Sequence, residues 1–153
     1  MCRFLLYTLF VFAIVQIQLR WKHDKEVEPK WAYTFYGAVN NCTAASCMFS
    51  FDDRNLASIH LQDNVFTVKK ATPVEIHGII NIVEVPPKGL QVYRFDIVSN
   101  GIVLRTIQTL SPTSVDFIHR MHFKVAHNLQ FVSSNASNSS LQIELGFTRL
   151  NSI

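Results

Sequence analysis

The chain has 153 residues, of which 48% are hydrophobic and only 16% charged, and its formal net charge at pH 7 is +3. That composition supports a packed core and excludes global disorder. The basic residues are scattered, with no stripe after Lys30, which argues against a nucleic-acid partner.

Residues 1–19 differ in kind from the rest. Met1-Cys2-Arg3 gives a short positive start, and Phe4 to Leu19 carries no charge. The run is most apolar from Phe4 to Val15 and is diluted by Gln16 and Gln18. About twelve strongly apolar residues make a signal-peptide core, whereas about 20 are needed to span a bilayer. Ala13 is the only small residue near the end of the run, so no clear cleavage site follows it. The alternative is an uncleaved signal-anchor, giving a single-pass type II membrane protein with its C-terminal domain outside. Flanking charge does not choose between the two, because Arg20, Lys22 and Lys25 follow the run as well. A buried core helix is disfavoured, since the segment has no polar face. Either reading sends the chain out of the cell. Residues 20–30 (RWKHDKEVEPK) mix both charge signs and read as an exposed stalk or linker. Residues 31–153 form the domain.

Two cysteines, Cys42 and Cys47, fall within that domain. Their separation closes a small disulfide loop through Thr43-Ala44-Ala45-Ser46 in an oxidising compartment. On the chain-entropy model a loop this short stabilises by about 2 kcal/mol. Three N-x-Ser/Thr sequons begin at Asn41, Asn135 and Asn138. The last two lie in the most loop-like stretch, Ser133 to Ser140, and predict a glycan-bearing surface loop. Asn41 competes with a disulfide at its neighbour Cys42.

From Trp31 onward the dominant period is two, the mark of half-buried strands. Trp31, Tyr33 and Phe35 alternate with small or polar residues. Met48–Phe51 follows the cysteine loop, and Asp52-Asp53-Arg54-Asn55 reads as a turn. Leu56–Leu61 and Val65–Lys69 flank Asp63-Asn64. Val74, Ile76, Gly78, Ile80 and Ile82 share one face of the longest strand, which Pro86-Pro87-Lys88-Gly89 ends. Tyr93, Phe95 and Ile97 lead into Asn100-Gly101, the strongest short-range hairpin signal, and Ile102–Leu110 returns. Val115, Phe117, His119, Met121, Phe123 and Val125 alternate next. Leu129–Val132 and Leu141–Leu150 complete the chain. Eight or nine short strands without a helix predict an all-β fold, a two-sheet antiparallel sandwich or barrel.

Chemistry finds little support. His119 and His122 are three apart, which on a strand sends them to opposite faces, and His127 sits at a turn, so a shared metal is not expected. A cation site from Asp52, Asp53 and Asp63 competes with ordinary turn roles for Asp. Glu75 and Glu84 are expected on opposite faces of the long strand. No G-x-S-x-G elbow is present, Cys2 lies in the N-terminal apolar segment and the two domain cysteines are expected to pair, and no motif asks for a cofactor. These readings argue against an enzyme and for recognition. Trp31 and Tyr33 near Asn40 and Asn41 are the only lectin-like candidates, and core packing explains them better.

Three stretches together carry a family resemblance. They are Asp63–Val68 followed by Val74–Ile80, then Met121–Phe131, and finally Leu145-Gly146-Phe147-Thr148-Arg149-Leu150. In order and spacing they resemble the tumour necrosis factor ligand family and the related globular heads of complement q-type proteins. Three positions depart from the family pattern: Thr72 replaces a glycine, Val74 a tyrosine, and Ala126-His127 a Gly-Asp pair. The resemblance implies a jelly-roll of two sheets and a homotrimer that engages a cell-surface receptor. Family receptor contacts lie in variable loops, so no binding position carries over. A monomeric lectin-like or matrix-binding sandwich is the competing reading.

Overall fold

Apolar residues alternate with polar ones along most of the chain, and each alternating run becomes a strand because the pleat sends successive side chains to opposite faces. The computed structural model describes residues 8, 11–16, 30–43, 46–82, 92–110, 114–134 and 141–151. The expectations for Asn135, Asn138 and Glu84, for most of 1–19 and for the linker up to residue 29 fall outside these residues. Residues 11–16 are helical, and no helix among the described residues is long and apolar enough to cross a membrane.

Eleven strands are described: β1 Ala32–Cys42, β2 Cys47–Phe51, β3 Arg54–Asn55, β4 Ile59–Gln62, β5 Val65–Val68 and β6 Thr72–Ile82. The remainder are β7 Tyr93–Ser99, β8 Ile102–Thr109, β9 Ser114–Phe123, β10 Leu129–Ser133 and β11 Leu141–Arg149. The count exceeds the expected eight or nine. The extra pieces include Arg54–Asn55, which read as pure turn yet pairs with Leu61 and His60 of β4. The first strand also outruns its alternating signal, reaching Cys42 through a register shift between Val39 and Asn41.

All pairings are antiparallel. One layer runs β2-β1-β11-β6-β9 and the other β3-β4-β5-β10-β7-β8. The layers are stitched together at β10. One of its edges pairs with β7 throughout, and the other meets β5 at Leu129 and β2 at Val132 and Ser133. A strand has only two edges, so the shared edge is where one sheet passes into the other. On the far side, Arg105 of β8 donates a hydrogen bond to the Ile118 carbonyl of β9.

Two tight turns show their chemistry in the backbone. Asp63 and Asn64 have φ of 51° and 64°, and Asn100 and Gly101 have 51° and 78°. Positive φ at both central residues gives the twist that two-residue hairpins need, and Asn, Asp and Gly supply it at least cost.

The core is aromatic. Phe66 of β5 meets Phe35, Phe51, Phe131 and Phe147, with ring centroids 5.0, 5.1, 5.8 and 5.0 Å away. Those four rings come from β1, β2, β10 and β11, so Phe66 joins both layers. Around it pack Ile59, Leu61, Ile76, Leu129 and Leu145, all fully buried.

Candidate interaction face

The outward side of β1, β11, β6 and β9 is a regular grid fixed by register. Tyr36, Glu144, Ile79 and Asp116 form one row, and Thr34, Gly146, His77 and Ile118 form the next. A third row holds Ala32, Thr148, Glu75 and Arg120, where Arg120 Nε donates to Glu75 Oε2 at 2.6 Å. Both partners of that ion pair reach solvent, so it is worth under about 1 kcal/mol. Tyr36 is 70% exposed and Ile118 51%. Ala32, Thr34 and Gly146 keep the face low between these apolar points, so another backbone can approach it closely.

A second exposed apolar group crowns the β7–β8 hairpin. Ile102, Val103 and Leu104 stand out there, joined by Val125 from the β9–β10 turn. The two loops are tied: Asn100 Nδ2 donates to the Ala126 carbonyl at 3.0 Å, and the Asn128 amide donates to Asn100 Oδ1 at 2.9 Å. The tip is therefore a fixed presentation and not a trailing loop.

The residues singled out for chemistry are dispersed. His119 points inward from β9 and His122 outward, on opposite faces as the strand spacing requires. The His119 Nε2 is buried without a partner, and burial, aided by Arg105, lowers the His119 pKa from its usual value. His127 stacks on Phe123 at 6.3 Å, and its Nδ1 accepts from the Lys124 amide at 3.3 Å. Asp53 Oδ1 accepts from the Asp63 amide at 3.0 Å, the turn role that competed with a cation site. Among the described residues no group of three His, Cys, Asp or Glu is placed to hold a metal. Trp31 and Tyr33 stack at 5.2 Å and pack against the core. The backbone of Asn41 pairs with Met48 in the β1–β2 ladder.

The His119 shift has a consequence for stability. A pKa lowered on folding means the unfolded chain takes up the proton first as pH falls. The contribution is thus fully present above the unfolded value near 6.5 and is lost as pH falls through the folded one. Denaturant midpoints are expected to fall between pH 7.5 and 5.5, with a shallower slope in His119→Gln. Equal slopes in the two proteins would reject that assignment.

Cys42 and Cys47 form a disulfide with Cα atoms 4.0 Å apart, directly opposite in the β1–β2 ladder. Cys47 is buried and Cys42 exposed, so the bridge pins the hairpin at the edge of the core.

No protein-family model matches the chain, and no curated protein matches it by sequence. Solved structures do match. A crystal structure of murine APRIL at pH 8.5 is 13% identical with a TM-score of 0.56, covering 78% of this chain and 100% of that one. The same protein at pH 8.0 is 13% identical with a TM-score of 0.53, over 78% and 100% of the two chains. Rabbit GITRL is 10% identical with a TM-score of 0.46, over 71% and 91%. The domain has the jelly-roll fold of a tumour necrosis factor ligand head.

Within this TNF-like head the departures from the family pattern acquire physical meaning. Val74 is fully buried in the core, so the missing tyrosine is absent from the interior and not from the exposed grid. Ala126-His127 needs no glycine: the His127 amide donates to the Lys124 carbonyl at 3.0 Å, and neither residue has positive φ. Thr72 opens β6 with an inward side chain.

Proposed function

We propose that the chain is an extracellular ligand of the tumour necrosis factor type that engages a cell-surface receptor as a homotrimer. The observation that carries this is the fold match over the whole length of the murine APRIL chain. The grid on β1, β11, β6 and β9 supports self-association, because its apolar points sit among charges and small residues that a second copy can cover. The rigid apolar tip formed by Ile102, Val103, Leu104 and Val125 suits a receptor, and three copies would add avidity. In this reading residues 1–19 direct the chain outward as a cleaved signal or an anchor, and residues 20–30 are its stalk. Asn135 and Asn138 carry glycan on one loop, with Asn41 a third acceptor.

Light scattering on protein from a secretory host tests the assembly, with N-glycosidase treatment reading the glycans in the same preparation. Three times the monomer mass is expected, with a mass drop on deglycosylation. Tyr36→Glu combined with Ile118→Glu is expected to give monomers that keep their strand content. A strict monomer at micromolar concentration overturns the trimeric ligand and leaves the monomeric binding sandwich.

A further inference from the structure

Beside the row that holds Tyr36 and Glu144, register places a further one: Ser50, Ala38, Gln142 and Asn81, on β2, β1, β11 and β6. A groove of about 530 Å³ is lined by both rows and by Asp52, just past the end of β2. Ala38 carries only a methyl, so the surface dips between its longer neighbours. Tyr36 stands at the side, 70% exposed.

The lining mixes three kinds of polar group. Asp52 and Glu144 bring carboxylates, which only accept hydrogen bonds. Asn81 and Gln142 bring amides, and Ser50 a hydroxyl, all of which both donate and accept. No lysine, arginine or histidine is among the lining residues. That inventory decides between ligand classes. An anion would meet two carboxylates and no cation. An ammonium or guanidinium would suit the carboxylates but has no acceptor for the Asn81 and Gln142 donors. Among the described residues no third carboxylate or imidazole joins Asp52 and Glu144 to hold a metal. A hydroxyl both donates and accepts, so a ring bearing several of them serves every group. Tyr36 supplies the remaining element, an exposed aromatic face for the apolar C–H face of such a ring. The volume lies within the ~300–1,000 Å³ of small-molecule sites.

We propose that this groove binds a neutral saccharide unit. Tyr36 lies against the sugar ring, Asp52 and Glu144 accept from its hydroxyls, and Asn81 and Gln142 each bridge a neighbouring pair. The site is complete in one copy of the chain. Tyr36 and Glu144 also stand on the face proposed for self-association, so a bound sugar and a second copy exclude one another there.

Ligand-observed NMR titration of the full secreted chain tests it, after N-glycosidase treatment so that no attached sugar competes. Wild type is compared with Ile118→Glu, which alters the face outside the groove. The probes are lactose, chitobiose and mannobiose, with sialyllactose as the anionic and spermidine as the cationic comparison. Saturable binding of a neutral disaccharide is expected, tighter than that of either charged probe. Tyr36→Ala is expected to raise its Kd about ten-fold. Asp52→Asn with Glu144→Gln keeps both shapes, and is expected to raise Kd about five-fold and narrow the gap to sialyllactose. These side chains reach solvent, so Tm should hold in all the variants, whereas a structural role would lower Tm and leave Kd alone. No binding of any neutral disaccharide by either protein overturns the proposal, as does an unchanged Kd in Tyr36→Ala. Tighter binding of spermidine or sialyllactose overturns it too. Light scattering on the same samples reports assembly separately. Binding by Ile118→Glu alone, beside a trimeric wild type, supports both readings, and a monomeric wild type that binds keeps the saccharide site and removes the trimer.

Discussion

Phe66→Ala is expected to lower the stability of the domain by about 3–5 kcal/mol, the range for truncating a fully buried aromatic. Phe66 lies at the top of that range for a topological reason. Its ring touches Phe35, Phe51 and Phe147 in one layer and Phe131 on β10, the strand that joins the layers. Each aromatic pair adds about 0.5–1.5 kcal/mol beyond its area. No single neighbour can collapse into the space left, because each is held on a different strand. Phe66→Leu retains part of the volume and should lose about half as much. Urea denaturation at one fixed protein concentration is the measurement, since assembly would make the midpoint concentration-dependent. A loss below about 1 kcal/mol for the alanine variant would mean that the core re-forms without the central ring.

Gly78→Val is expected to abolish folding, and Gly78→Ala to cost about 3 kcal/mol. Gly78 sits at the middle of β6 directly opposite Phe117 of β9. A Cβ built there would lie 2.1 Å from Cζ and 2.2 Å from Cε1 of the Phe117 ring. The glycine is required by space and not by its backbone, because Gly101 is the only described glycine with positive φ. Phe117 is itself 5% exposed and walled in by the core, so the ring has nowhere to retreat. Overpacking of this kind usually costs about 1–3 kcal/mol, and a direct ring clash belongs at the upper end. Adding Phe117→Val to the Gly78→Ala variant should return about 1–2 kcal/mol, a coupling that independent sites do not show. Additive losses in the double variant would refute the contact. Secretion yield and thermal midpoint read both effects.

Most strands were legible because the pleat forces a period of two on any half-buried strand. Tyr93, Phe95 and Ile97 needed no tertiary information to be placed inward, and neither did the opposite facing of His119 and His122. Asn100-Gly101 announced its hairpin because few residues accept positive φ, whereas the same geometry at Asp63-Asn64 appears only in the structure. The Cys42–Cys47 bridge followed from a spacing that closes only across a tight turn. The end of β1 was not legible, since Tyr36-Gly37-Ala38-Val39-Asn40-Asn41 breaks the alternation. Those residues are a strand because β11 and β2 supply ladders on both sides.

The sequence by itself determined the all-β character, the Asn100-Gly101 hairpin, the disulfide and the face most strands turn to the core. All of these depend on neighbours a few residues apart. Tertiary structure decided which strands lie side by side, above all that β10 meets β5, β2 and β7, because long-range pairing is chosen by how the buried faces pack. It also assembled the candidate interaction face. Tyr36, Glu144, Ile79 and Asp116 are far apart along the chain and form one row only through register.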